Sequence, residues 1–258
     1  MTPPCVDYTR TDQIAHITLS RGDRGNPINK QLTRELRDAV ATAHRDGTKV
    51  IVLASTGRFF SVGGDLSAFS SEPDLPAYVD DLADELHRTV IELIRSPAIV
   101  VSIVQGPAAG AGFPLAAAAD IIIAGASATF ILGYSKVGLS IDGGSCLLSE
   151  TLGLHRTLRL ALLNDTLSAA EAHAAGLVAR VFDDAELHPE ADKLIRRLAS
   201  GPRGAHAAIK RLVRDTAEAA PERALRVETA AIRSLAGSSD GREGIRAFRD
   251  KRRPVFGT

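Results

Sequence analysis

The sequence predicts an α/β fold whose C-terminal third is helical. Three observations carry that expectation. Short branched-apolar runs alternate with stretches of helical period, two of those runs lead straight into glycine-rich turns, and helical patterning dominates after about Gly153. A chain of 258 residues is long enough for one large domain, or a domain with a smaller appendage.

The first strand expected is HITLS (His16–Ser20), which ends at a loop, SRGDRGN. Leu32, Leu36 and Val40 then recur at i, i+4, i+8, as on the apolar face of a helix. VIVLAS (Val50–Ser55) reads as a buried strand, and Leu82, Leu86, Val90, Leu93 and Ile94 give the next helix its apolar face. IVVSIV (Ile99–Val104) and DIIIAG (Asp120–Gly125) are again strands, bounded by Gly, Ser or Thr. SAAEAHAAGLV reads as a helix that stops at Gly176, and LVARVF (Leu177–Phe182) as one more strand. The expected division is an α/β core over 1–195 and a helical oligomerisation region over 196–258.

The stretch Pro97–Ala126 is the one candidate for a membrane span. Gln105, Pro107, Pro114 and Asp120 break it well short of the roughly 20 apolar residues a bilayer requires, so strand, turn and helix are expected there. Lys and Arg together number 31, as do Asp and Glu, which gives no global reason to expect nucleic acid or an anionic membrane as partner. The opening MTPPCVDYTRTDQ lacks a basic-then-apolar pattern, and Cys5 and Cys146 form neither a disulfide framework nor a metal-binding spacing. A cytoplasmic, reducing location is therefore expected.

HExxH, CxxC, P-loop and G-x-S-x-G patterns are absent, which weakens the case for a zinc enzyme or a nucleophilic hydrolase. His16 and His87, within a strand and a helix pattern, read as structural or solvent-facing. Chemistry is instead suggested by the two glycine-rich turns: GRFFSVGGDLSAF (Gly57–Phe69) after VIVLAS, and QGPAAGAGFPLAAAAD (Gln105–Asp120) after IVVSIV. Bare backbone ahead of a helix exposes N–H donors, and two such donors aimed at one point would hold a developing oxyanion. A tight strand-to-helix turn alone would also use these glycines.

Those two turns, with ATFILGYSKVGLSIDGGS, LSAAEAHAAGLVARV and the ending EGIRAFRDKRRPVF, resemble the crotonase, or enoyl-CoA hydratase/isomerase, superfamily over nearly the whole chain. The resemblance implies a spiral of ββα units with a helical trimerisation region, and hence a homotrimer or homohexamer. It implies an acyl-CoA thioester substrate in fatty-acid or aromatic-acid degradation, coenzyme A being part of the substrate and no separate cofactor or metal being expected. The carbonyl-binding N–H groups carry over to Gly64 and Ala111. The positions expected to contact acyl-CoA are Arg24, Arg58, Ser61, Gly63, Asp65, Leu66, Gly110, Tyr134, Phe248 and Lys251, with Asp65 also positioning its turn.

The two glutamates of the family's hydratases correspond to Pro114 and Tyr134. Neither is a carboxylate, and water addition requires groups that activate water and manage the α-proton. Asp142 in GLSIDGGS matches an acid of relatives that move a double bond, which require one base that takes a proton from one carbon and returns it to another. Asp-Gly-Gly is also a turn signal in its own right. The expected activity is therefore Asp142-dependent isomerisation. Hydration or other enolate chemistry, and an acyl-CoA binder that has lost its chemistry, stay open as alternatives.

Overall fold

The structure, a computed structural model, describes residues 3–217 and 220–257. A hairpin comes first, β1 (Val6–Thr11) turning back through Asp12, whose φ of 53° is left-handed, into β2 (Ile14–Leu19). Helix α1 (Lys30–Arg45) starts where Asn29 accepts the Leu32 N–H at 3.0 Å, satisfying a donor that has no partner within the helix. Next come β3 (Val50–Ser55), a short α2 (Leu66–Phe69) and the long α3 (Leu75–Arg95), capped by Asp74 with proline in its first turn. The candidate membrane span folds as β4 (Ile99–Val104), the two-residue β5 (Ala108–Ala109), α4 (Gly112–Ala117) and β6 (Ile121–Gly125). No helix among the described residues is long and apolar enough to cross a membrane.

After β7 (Thr129–Ile131) the chain is mostly helical: α5 (Leu148–Leu152), α6 (Leu154–Leu163), β8 (Leu167–Ser168), α7 (Ala169–Ala174) and β9 (Arg180–Phe182). Four longer helices close it, α8 (Leu187–Ser200), α9 (Arg203–Ala217), α10 (Pro221–Ala236) and α11 (Ser239–Arg249). The main sheet runs β1-β2-β3-β4-β6-β9, parallel except for the first hairpin, and a small sheet runs β5-β7-β8.

Alternation along the central strands divides the core in two. Ile51 and Leu53 of β3 face α1 and α3, whereas Val50 and Val52 face Leu187, Ala191 and Ile195 of α8. The boundary expected between residues 195 and 196 thus falls inside α8, a helix that covers one sheet face and belongs with the core. The later helices are tied in as well. Lys210 of α9 is buried, donates to the carbonyls of Leu93 and Ala98 and pairs with Asp120, and α10 packs along α3.

Four strands were not expected. β1 is polar and largely exposed, and β5, β7 and β8 are too short to show a period. LVARVF is strand only from Arg180, because the N–H groups of Leu177 and Val178 close the end of α7 on Ala172 O. Gly176 does end that helix, with a φ of 82°.

Candidate active site

The two glycine-rich turns zip together. Phe60 donates to Pro107 O at 3.0 Å and Ala109 to Ser61 O at 2.8 Å, so the turns lie backbone to backbone. Nothing larger than hydrogen fits between them. A Cβ on Gly63, whose φ is 86°, would stand 2.8 Å from Ala109 O and 3.1 Å from the Gly110 Cα. Ser61 is fully buried, donating to Asn26 O and accepting the Gly63 N–H, so it fixes the turn from behind. Asp65 caps α2 through the Ala68 N–H and takes a second bond from Asn29. Among the described residues, the N–H groups of Gly64 and Ala111 have no acceptor within the chain.

Both of those residues line a cavity of about 900 Å³. Its apolar side comes from Leu66, Phe69, Val79, Leu82 and Leu86, on α2 and α3, and from Ile232 of α10. Arg24, Asp65, Gly110, Tyr134, Asp142 and Phe248 are also on its wall. Four of the residues expected to contact substrate are not. Ser61 and Gly63 sit behind the turn, Arg58 is exposed with its guanidinium 5.4 Å from the centre of the Phe59 ring, and Lys251 is exposed just past α11. Within one chain these four support or flank the cavity rather than line it.

Pro114 occupies the first turn of α4, where a missing N–H breaks no helical bond. Its ring lies behind the Asp142 loop. A Cβ on Gly143 (φ 74°) would come 3.3 Å from Pro114 Cγ and 3.2 Å from Ala111 Cβ. Tyr134 holds the same loop, donating its hydroxyl to the Asp142 carbonyl at 2.8 Å, and Ser145 Oγ donates to that carbonyl at 2.6 Å. Burial, then the charges of Asp142 and Glu228, push the Tyr134 phenol well above its ordinary value, so it is a neutral donor.

A buried cluster surrounds Asp142 that sequence reasoning missed. Its Oδ1 lies 3.0 Å from Nε2 of His87 on α3, and Oε2 of Glu228 on α10 is 3.6 Å from the same nitrogen. Asp142, His87 and Glu228 are each 5% exposed or less. The Gly143 N–H donates to His87 Nε2 at 3.1 Å, which leaves Asp142 Oδ1 near the ring but without an aligned hydrogen bond. The other ring nitrogen, Nδ1, is 3.0 Å from Thr229 Oγ1. Glu228 accepts the N–H groups of Gly144, at 2.7 Å, and Cys146, clamping the loop just after Asp142.

Burial alone lowers the His87 pKa, but the Asp142 carboxylate beside it, with the charges of Glu228 and Asp84, outweighs burial and raises it above the ordinary value. Burial raises the Glu228 pKa, and its backbone N–H bonds offset only part of that. Three metal-capable atoms stand together here. Backbone N–H donors already occupy His87 Nε2 and both Glu228 oxygens, so these atoms serve the backbone of the Asp142 loop.

A signal for the cluster was present in the sequence. His87 falls in register with Ala83, Val90 and Ile94 on the buried side of α3, and Glu228 with Leu225 and Ile232 on that of α10. An ionisable residue at a core position of a helix calls for a partner. Here the loop at Asp142 supplies them, the Asp142 carboxylate and Gly143 N–H to His87 and the Gly144 and Cys146 N–H groups to Glu228.

A family model described as enoyl-CoA hydratase/isomerase matches residues 9–258. The chain is 37% identical to the 1,2-epoxyphenylacetyl-CoA isomerase of Escherichia coli over 94% of both chains. It is 33% identical to the trans-2-decenoyl-[acyl-carrier-protein] isomerase of Streptococcus mutans over 96% of both. A crystal structure of an enoyl-CoA hydratase from Mycobacterium avium subsp. paratuberculosis superposes with a TM-score of 0.90 at 34% identity, covering 99% of this chain and 100% of that one.

Proposed function

Because this chain belongs to the enoyl-CoA hydratase/isomerase family, we propose that it isomerises the double bond of an enoyl-CoA thioester, with Asp142 as the single base. One observation carries the reading. Of the two aspartates on the cavity wall, Asp65 is committed to capping α2, and Asp142 keeps a side-chain oxygen without an aligned partner. Asp142 shares that wall with the two unpaired N–H groups of Gly64 and Ala111.

The thioester oxygen would accept from those two N–H groups, each such donor being worth roughly 3–4 kcal/mol in the transition state. Asp142 would take a proton from the α-carbon of a 3-enoyl thioester, giving a dienolate whose charge rests on that oxygen. Returning the proton to the γ-carbon leaves the double bond conjugated with the carbonyl and restores the carboxylate. The apolar wall of α2 and α3 suits the hydrocarbon part of the substrate, and Arg24 and Phe248 suit the nucleotide end.

Pro114 and Tyr134 argue against hydration. Proline has no proton to give or take, and the Tyr134 hydroxyl is spent on the Asp142 carbonyl. The names of the two isomerase relatives point the same way. The exposed leucines of α6 (Leu154, Leu158, Leu162 and Leu163), with Ile209, Leu212 and Val213 of α9, support self-association, since such apolar faces are rarely left in water.

The test is absorbance on 3-enoyl-CoA and 2-enoyl-CoA substrates with the wild type and Asp142→Asn. The substitution keeps the size of the side chain and removes the base, so isomerisation falls by about 10²–10⁴-fold while acyl-CoA affinity barely changes. Turnover equal to wild type in Asp142→Asn would return Asp142 to a turn residue. Crotonyl-CoA hydration at ordinary enzymatic rates, about 10 per second, would replace isomerisation with hydration.

A further inference from the structure

On the reading that Asp142 is the base, the abstracted proton sits on a carboxylate buried beneath the substrate while the dienolate exists. With the cavity filled, water has no direct way to that carboxylate from the substrate side. His87 supplies another route. Its Nε2 is 3.0 Å from Asp142 Oδ1, and its Nδ1 is 3.0 Å from the hydroxyl of half-buried Thr229.

His87 and Thr229 both line a second, open groove of about 720 Å³ between α3 and α10, whose wall also carries Asp80, Asp84, Arg88 and Arg226. Asp142 is on the wall of the acyl cavity and not of the groove, and His87 is on the groove and not the cavity. One imidazole ring therefore separates the two spaces and touches the reacting group of one and the solvent of the other.

We propose that His87 is a proton relay between Asp142 and solvent in the α3–α10 groove. It touches no substrate and acts through Asp142. In the resting state a neutral ring donates its Nδ1–H toward Thr229 Oγ1. Once Asp142 has taken the substrate proton, its carboxylic acid displaces the Gly143 N–H from the Nε2 lone pair and passes that proton to it, giving an imidazolium beside a carboxylate. The Nδ1 proton then leaves to groove water, and the reverse path returns a solvent proton. No charge is left behind, because each proton given up to water is replaced by one from water.

A raised imidazole pKa fits this role, since the carboxylates around the ring stabilise the imidazolium the relay passes through. Glu228 contributes to that stabilisation at 3.6 Å, and its backbone N–H bonds keep it from leaving its place. A merely structural histidine would satisfy Gly143 and Thr229 equally well, so the test must read proton origin and not activity alone.

The experiment is isomerisation of a 3-enoyl-CoA in D₂O, with deuterium at the product γ-carbon read by mass spectrometry and NMR. For the wild type most of the product carries solvent deuterium. In His87→Gln, which cannot be protonated, exchange of the Asp142 proton slows by about 10²-fold, the low end of what a positioned proton-transfer group contributes. The product then keeps the substrate hydrogen. His87→Ala with imidazole added, which the groove admits, regains solvent deuterium, and Thr229→Val leaves the ring in place and lowers exchange by less.

Equal deuterium content in wild type and His87→Gln overturns the relay, as does a wild type that transfers the substrate hydrogen without exchange. Should the wild type not isomerise, α-proton exchange of a saturated acyl-CoA in D₂O asks the same question, since it requires enolisation alone. An unchanged rate in His87→Gln then sinks the relay. An unchanged rate in Asp142→Asn sinks the reading of Asp142 as base, whatever His87 does.

Discussion

Glu228→Leu should destabilise the protein by about 2–4 kcal/mol, even though it removes a buried charge. The substitution leaves the N–H groups of Gly144 and Cys146 without an acceptor. Each buried unsatisfied group costs about 1–3 kcal/mol, so the two together cost roughly 2–6. Against that stands relief of the carboxylate's desolvation, visible in the raised Glu228 pKa. Replacing a buried ion pair by apolar groups is often neutral, but only when both partners go, and here the partners are backbone that no substitution removes. Loss therefore wins.

Urea unfolding followed by circular dichroism reads the effect. With a slope of about 3 kcal/mol per M for a chain of this size, the midpoint drops by roughly 1 M. Glu228→Gln keeps one acceptor oxygen and should fall by about half as much. A midpoint for Glu228→Leu equal to or above wild type would refute the reasoning, because desolvation would then exceed what the two N–H bonds return.

The His87 pKa is raised in the folded state, so its contacts with Asp142 and Glu228 contribute stability that is fully present below the unfolded value of ~6.5. That contribution is lost as pH rises through the folded value, so the stability gap between wild type and His87→Gln should narrow from pH 6 to pH 9; a gap that widens would contradict it. In sedimentation at micromolar concentration the protein should travel as an assembly, and Leu162→Glu with Val213→Glu, on exposed apolar positions of α6 and α9, should shift it toward the single chain. A wild type that sediments as a monomer would count against self-association.

Much of the frame was legible because it depends on local pattern. The central strands are branched, apolar and buried on both faces, and α1 and α3 repeat their apolar residues at the helical period. The turns at Gly63 and Gly110 were legible for a related reason. Their lack of side chains is written in the sequence, although the sequence does not say that the two turns meet. Strands β1, β5, β7 and β8 were not legible. β5, β7 and β8 are two or three residues long and are strands because segments distant in the chain offer them hydrogen bonds, which leave no period behind. β1 is the polar, exposed arm of a local hairpin.

The same divide runs through the site. By itself the sequence determined the α/β class and the two bare-backbone turns, and it placed a proline at 114, a tyrosine at 134 and an aspartate at 142. Tertiary structure alone decided that Asp142 has His87 from α3 at its side and that Glu228 from α10 clamps its loop. It also decided that Tyr134 spends its hydroxyl on a carbonyl, and that Arg58 and Lys251 stay off the cavity wall. Residues 87, 142 and 228 lie too far apart in the chain for any local spacing to link them. They meet because α3 and α10 must each bury an apolar face, and packing those faces against one another brings a histidine and a glutamate to the same buried loop.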